Sequence, residues 1–157
     1  MSNKTHTRAA KRLARLAAVQ ALYQSTFEQQ TPAQIISECL AMNFVSLRDE
    51  VEGDEAITET PDKELFGNIV EGVAAHKEEL DAMIVGALDT KLAEKHLERL
   101  LQTILRAGAF ELYRHGNIAT GVIISDYVDV AHAFFNGKEP GLVNGILDKL
   151  AGKLRQR

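Results

Sequence analysis

The sequence predicts an all-α protein of six or seven helices, and three observations carry that expectation. Apolar residues recur at three- and four-residue spacing along most of the chain. Thr31-Pro32 and Thr60-Pro61 each supply an N-cap followed by proline at the first helical position, where its missing N–H costs nothing. No hairpin or βαβ pattern breaks the helical period, and only Val122-Ile123-Ile124, taken alone, would pass for a strand. With 157 residues, a single domain over 1–157 with a self-sufficient core is the default.

From Arg8 to Gln29 nothing interrupts a helix. At 100° per residue, Arg8, Lys11, Arg12 and Arg15 fall within about 100° of one another, while Leu13, Leu16, Ala17, Tyr23 and Phe27 gather opposite. Beyond Arg15 the polar face shrinks, because Val19 and Leu22 are apolar. A second helix is expected from Ala33 to about Met42. An exposed acidic loop follows at about 46–60, in a stretch where Lys63 is the only base among eight carboxylates between 49 and 64. The apolar series Leu65, Phe66, Ile69, Val70, Val73, Leu80, Ile84, Val85 predicts one long helix from the Thr60-Pro61 start to about Leu88. Leu92–Gly116 reads as a buried helix closed by His115-Gly116. In the next helix Ile124, Tyr127, Val128, Ala131, Phe134 and Phe135 make the apolar face, and Ser125, Asp126, Asp129 and His132 the polar one. Leu142, Val143, Ile146, Leu147 and Leu150 carry the last helix, after Pro140.

Composition excludes several classes of function. The longest apolar run is a handful of residues against the ~20 that cross a bilayer, so no membrane segment is expected. The single cysteine, Cys39, cannot form an intramolecular disulfide, which fits a reducing, cytoplasmic setting. It lies among Ile35, Ile36 and Leu40 and reads as a small core residue rather than a nucleophile. No glycine-rich phosphate loop, nucleophile elbow or paired Cys/His spacing occurs, and the polar face with Asp126, Asp129 and His132 reads as solvated rather than as a metal site. No catalytic residue, metal or cofactor is expected.

Charge is what remains. The net charge of −4 conceals basic ends: residues 1–27 carry five bases and no acid, and Lys149, Lys153, Arg155 and Arg157 follow the last acid. Four cations on one helical face point to nucleic-acid phosphates. An organellar transit peptide shares this composition, but cleavage would remove a helix whose apolar face continues through Leu22, Tyr23 and Phe27.

The residues also carry a resemblance. Lys11-Arg12-Leu13-Ala14-Arg15 followed by Ala18-Val19-Gln20-Ala21-Leu22-Tyr23 resembles the N-terminal signature of the NusB family of bacterial transcription antitermination proteins. Three further matches follow in order: Leu65-Phe66 with Ile69-Val70-Glu71-Gly72-Val73, Ile104-Leu105-Arg106 with Phe110-Glu111-Leu112, and Val143-Asn144-Gly145-Ile146-Leu147-Asp148-Lys149. The last is the most specific. The likeness spans about residues 8–151. It implies an all-α fold of two packed three-helix subdomains, perpendicular to one another. It also implies binding of single-stranded boxA-type RNA in ribosomal RNA transcripts, together with NusE, a small-subunit ribosomal protein, inside an RNA polymerase antitermination complex.

On this resemblance the arginine-rich RNA tract falls on Lys11, Arg12 and Arg15, and the helical count adds Arg8. Tyr23 matches a tyrosine beside the tract, for which stacking on a base and a place in the core are both open. Arg106 matches a basic position on the fifth helix, and the loop Asn136–Glu139, with Lys138, falls where family members approach RNA. Departures from the family pattern are Leu13 within the basic run, Leu101-Gln102 in place of a charged pair, Ser125 for asparagine and Ala119 for proline. Two other readings stand beside antitermination. One is the related RNA-binding domain of an RNA cytosine methyltransferase, which needs a Rossmann-like catalytic domain that residues 1–157 do not contain. The other is a helical protein-interaction adaptor without RNA.

Overall fold

A computed structural model describes residues 7–44, 60–89 and 97–155, and among them seven helices and no strand. These are α1 (Arg8–Glu28), α2 (Pro32–Ala41), α3 (Lys63–Ala75), α4 (Lys77–Ala87), α5 (Arg99–Arg114), α6 (Thr120–Phe134) and α7 (Glu139–Leu154). Val122-Ile123-Ile124 is helical. The expected acidic loop at 46–60 lies outside the described residues, Thr60 excepted, as does Leu92. The helix expected to run on from Leu92 begins instead at Arg99, because Glu98 is extended and caps it, its side chain accepting from Leu100 N.

Local chemistry sets most boundaries. Thr7 Oγ1 accepts from the Ala10 N–H at 3.0 Å and starts α1; Gln29, in the left-handed region at φ 53°, ends it and donates to Ser25 O. At α2 a capping box forms as the Thr-Pro pair predicts: Thr31 Oγ1 accepts from Gln34 N, and Gln34 Oε1 accepts from Thr31 N. The second Thr-Pro pair behaves differently. Asp62 caps α3 instead, its Oδ1 accepting from Leu65 N at 3.0 Å and its carbonyl from Phe66 N. Its own N–H is held by Ala10 O at 3.0 Å, so the carboxylate two residues after Thr60 takes the cap.

The chain divides into two compact units, Met1–Val70 and Glu71–Arg157. In the first, α1 packs on α2, and the buried set includes Ala14, Ala18, Val19, Ile35, Phe44, Phe66 and Ile69. Asn43 and Phe44 both have positive φ (50° and 56°), which costs non-glycine residues energy. Burial of Phe44, edge-on to Phe66 with centroids 5.1 Å apart, offsets that cost.

In the second unit α5, α6 and α7 pack on one another, and α4 packs on α5 and α7. The single long helix expected to Leu88 is two, divided at His76. His76 has φ −115° and ψ 20°, its ring stacks on Phe110, and its Nδ1 lies 3.2 Å from Glu79 Oε1. Apolar spacing continues across this one-residue break, so periodicity does not register it. Asp126, expected on the polar face of α6, is buried, and so is Glu111, whose Oε2 accepts from Tyr127 OH at 2.5 Å and whose Oε1 lies 2.9 Å from His115 Nδ1.

Arg155 closes this unit. Its guanidinium donates to the carbonyls of Ile118, His115, Leu112 and Glu111 at 2.5–3.2 Å and to Thr120 Oγ1, tying the tail to the end of α5 and the turn after it. Glu111 O and His115 O also accept from the backbone N–H of His115 and Ile118. Charge-assisted hydrogen bonds contribute about 1.5–3 kcal/mol each when buried. Because Arg155 is half-exposed and water can replace part of the set, Arg155→Ala is expected to cost about 1–2 kcal/mol in urea unfolding. An unchanged midpoint and slope would show that the tail does not cap α5 in solution.

Candidate nucleic-acid interface

The first two turns of α1 bring Arg8, Lys11 and Arg12 together. Arg8 and Arg12 are exposed and Lys11 is half-exposed. The first turn of α1 contains no acid, so the cations stand at the positive end of the helix dipole, where cations are disfavoured. Such a placement concentrates positive potential and suits a bound anion.

Arg15 does not join them. The helical count places it at the centre of the stripe, but its side chain is 0% exposed. Val19 and Leu22 lie on the same face and are buried, and they draw the face inward one turn earlier than the sequence pattern suggests. Arg15 is therefore a buried cation of the first unit, where compensating groups are needed to hold it, and in this arrangement a phosphate cannot reach it.

Tyr23 is half-exposed, between the two placements left open for it. Its ring meets Phe27 edge-on, with centroids 5.3 Å apart. Phe27, expected on the buried side, is 60% exposed. The pair makes an aromatic surface on the C-terminal half of α1, and the i, i+4 spacing of two aromatics is the sequence signal for it.

Arg106 and Lys138 belong to the second unit. Arg106 is not open to a phosphate: its Nε donates to Asp81 Oδ1 at 2.6 Å and its Nη2 to Oδ2 at 3.1 Å, a two-point pair joining α5 to α4. Its own neighbour on the adjacent helix takes the fork that an anion would use. Lys138 is exposed at the N-cap of α7, in the loop expected to approach RNA.

Cys39 is half-buried in α2, and burial, then the Glu38 carboxylate, push its thiol above the usual range. Among the described residues no group of three His, Cys, Asp or Glu side chains is placed to hold a metal ion, and no helix is long and apolar enough to cross a membrane.

Comparison with known proteins bears on this arrangement. The model of the NusB family matches residues 12–152. The chain is similar to the transcription antitermination protein NusB of Sphingopyxis alaskensis, 39% identical over 157 residues and covering 100% of both chains. It is also similar to that of Novosphingobium aromaticivorans, 40% identical over 146 residues, 93% of this chain and 95% of the other. The name these relatives carry describes a role in transcription rather than a reaction. Among solved structures, T. maritima NusB matches with a TM-score of 0.66 over 90% of each chain at 24% identity, which speaks to the fold. With a family model across nearly the whole chain and relatives near 40% identity at full length, this chain belongs to the NusB family.

Proposed function

We propose that this chain is a transcription antitermination factor of the cytoplasm that binds single-stranded boxA-type RNA of ribosomal RNA transcripts jointly with NusE, as part of an RNA polymerase antitermination complex. The observation that carries the reading is the exposed basic patch of Arg8, Lys11 and Arg12 at the start of α1, whose first turn contains no acid, on a chain whose family is named for antitermination. Arg8, Lys11 and Arg12 contact phosphates, Lys138 adds a contact from the second unit, and Tyr23 with Phe27 offers rings on which an unstacked base can lie. Arg15 holds α1 from within rather than touching RNA. Arg106 contributes only where Asp81 releases it.

Four phosphate contacts to a single strand imply that log affinity falls with log salt at a slope of roughly −3, from ~0.7 per contact. Arg12→Glu is expected to weaken binding to every RNA sequence and to flatten that slope, while stability stays within about 0.5 kcal/mol of the parent. Fluorescence anisotropy across a salt series, with thermal unfolding alongside, measures both. Normal RNA binding by the variant would remove this patch as the site.

Few of these groups reach base edges, so the chain alone should bind weakly and discriminate sequence poorly. NusE docked on the surface of α5 and α6 adds its own RNA contacts. BoxA-like RNA is then expected to bind the pair at least about tenfold more tightly than the chain alone, ~1.4 kcal/mol of coupling, and RNA must tighten the NusE contact equally. Titration of boxA-like and scrambled RNA, with and without NusE, tests this. Equal affinities for both RNAs in the presence of NusE, or no complex with NusE, would leave the adaptor reading standing.

A further inference from the structure

Helices α1 and α2 leave a groove between them that is lined by none of the residues proposed to contact RNA, although Glu28 adjoins Phe27 in the chain. Ala17 and Ala21 of α1, Ile35 of α2 and Phe44 beyond it form its apolar part, and Met42, 60% exposed, stands beside them. Its volume is about 250 Å³, below the ~300–1,000 Å³ of pockets that enclose drug-sized ligands. It suits the side chains of a docked segment better than a whole small molecule. The lining recurs with helical spacing on both walls, at residues 17, 21, 24 and 28 on α1 and at 35, 38 and 39 on α2, continued by its C-cap Met42. Two such walls make a trough along which a third helix can lie.

Among the described residues the charge of the groove has one sign: its carboxylates are Glu28 and Glu38, and no described lysine, arginine or histidine lines it. Glu28 is the last residue of α1 and Glu38 lies in the last turn of α2, and neither last turn contains a base. A carboxylate at the negative end of a helix dipole is destabilised unless a cation meets it. Among the described residues neither forms an ion pair; Gln30 Nε2 donates to Glu38 Oε2. The raised Cys39 thiol reports the same surroundings, partly dry and negative. By helical count the α1 wall is centred about 180° from the Arg8–Lys11–Arg12 patch, so the two faces can be occupied at once.

We propose that this groove docks a basic amphipathic helix of a partner protein, its apolar side chains on Ala17 and Ala21 and its lysines or arginines over Glu28 and Glu38. Two carboxylates repel a phosphate backbone, so RNA is not the occupant. The site is independent of the antitermination reading, since its chemistry is opposite to that of the basic patch.

Cys39, the single cysteine of the chain, lines the groove and reports its occupancy. The probe is a synthetic amphipathic leucine–lysine helix of about 18 residues, ~27 Å long, with a leucine–glutamate peptide of the same pattern as control. The rate at which a maleimide labels Cys39 in the whole chain is followed with increasing peptide. The leucine–lysine peptide is expected to slow labelling at least tenfold at saturation, and the control is expected to leave it unchanged. Glu28→Gln with Glu38→Gln should raise the peptide concentration needed by about fivefold, the scale of losing two exposed ion pairs. Ala21→Leu, which fills the groove, should abolish protection while circular dichroism stays that of the parent. Equal protection by both peptides, protection of the double variant at the same peptide concentration as the parent, or slow labelling without peptide in a chain that sediments as a dimer would each overturn the proposal.

Discussion

Leu147→Ala is expected to destabilise the protein by about 2–5 kcal/mol, the range for deleting a buried leucine and leaving a cavity. Leu147 is 0% exposed, and its Cδ1 and Cδ2 stand 2.7 and 3.0 Å from where a Cβ on Gly108 would lie. The side chain of α7 thus packs directly on bare backbone of α5. This geometry gives the prediction a second arm with a change of sign. Gly108→Ala alone should destabilise, because the new methyl meets Leu147. In the Leu147→Ala background it should stabilise by about 1 kcal/mol, from cavity filling and the higher helix propensity of alanine. Urea unfolding of the four proteins closes the cycle. RNA affinity of the folded fraction should change little, since the substitution touches none of the proposed contacts. An unaltered midpoint for Leu147→Ala would show that the core face of α7 is misplaced.

Gly72→Ala is the second large effect. A Cβ at Gly72 would lie 2.0, 2.2 and 2.7 Å from Cζ, Cε1 and Cε2 of Phe110, so the whole ring must move rather than one flexible atom. Phe110 is 4% exposed, with His76 stacked at 6.3 Å and His115 edge-on at 5.4 Å between centroids. Overpacking of this kind costs about 1–3 kcal/mol and occasionally more, and the ~1 kcal/mol that alanine gains as a helix former offsets only part of it. A net loss of about 2 kcal/mol is expected. Phe110→Leu in the same chain should recover some of that loss, although on its own it destabilises. If Gly72→Ala melted at or above the parent temperature, the close approach of α3 to α5 would be wrong.

How much of this was legible beforehand follows from how far apart the interacting residues lie. The capping box at Thr31-Pro32 joins residues three apart, and the apolar stripes of α5 and α7 repeat within a turn or two. Such features are written locally, and composition with periodicity reads them. The patch of Arg8, Lys11 and Arg12 was legible for the same reason, as was the family likeness carried by Val143 to Lys149. Phe27 was misplaced because a helical wheel assigns an angle but not which part of that face is covered.

What the sequence by itself determined is therefore the all-α class, the extent of most helices and the basic start of α1, all products of side chains within one or two turns of each other. Only the tertiary structure decided which cations are withdrawn from a ligand by packing. Arg106 is committed to Asp81, 25 residues away, and Arg155 to carbonyls 37 to 44 residues away. Arg15 is drawn inward with Val19 and Leu22 although its helical angle matches that of Arg8. A charge has the same identity in every setting, but its availability depends on the partners and burial that packing brings to it, and those come from distant parts of the chain.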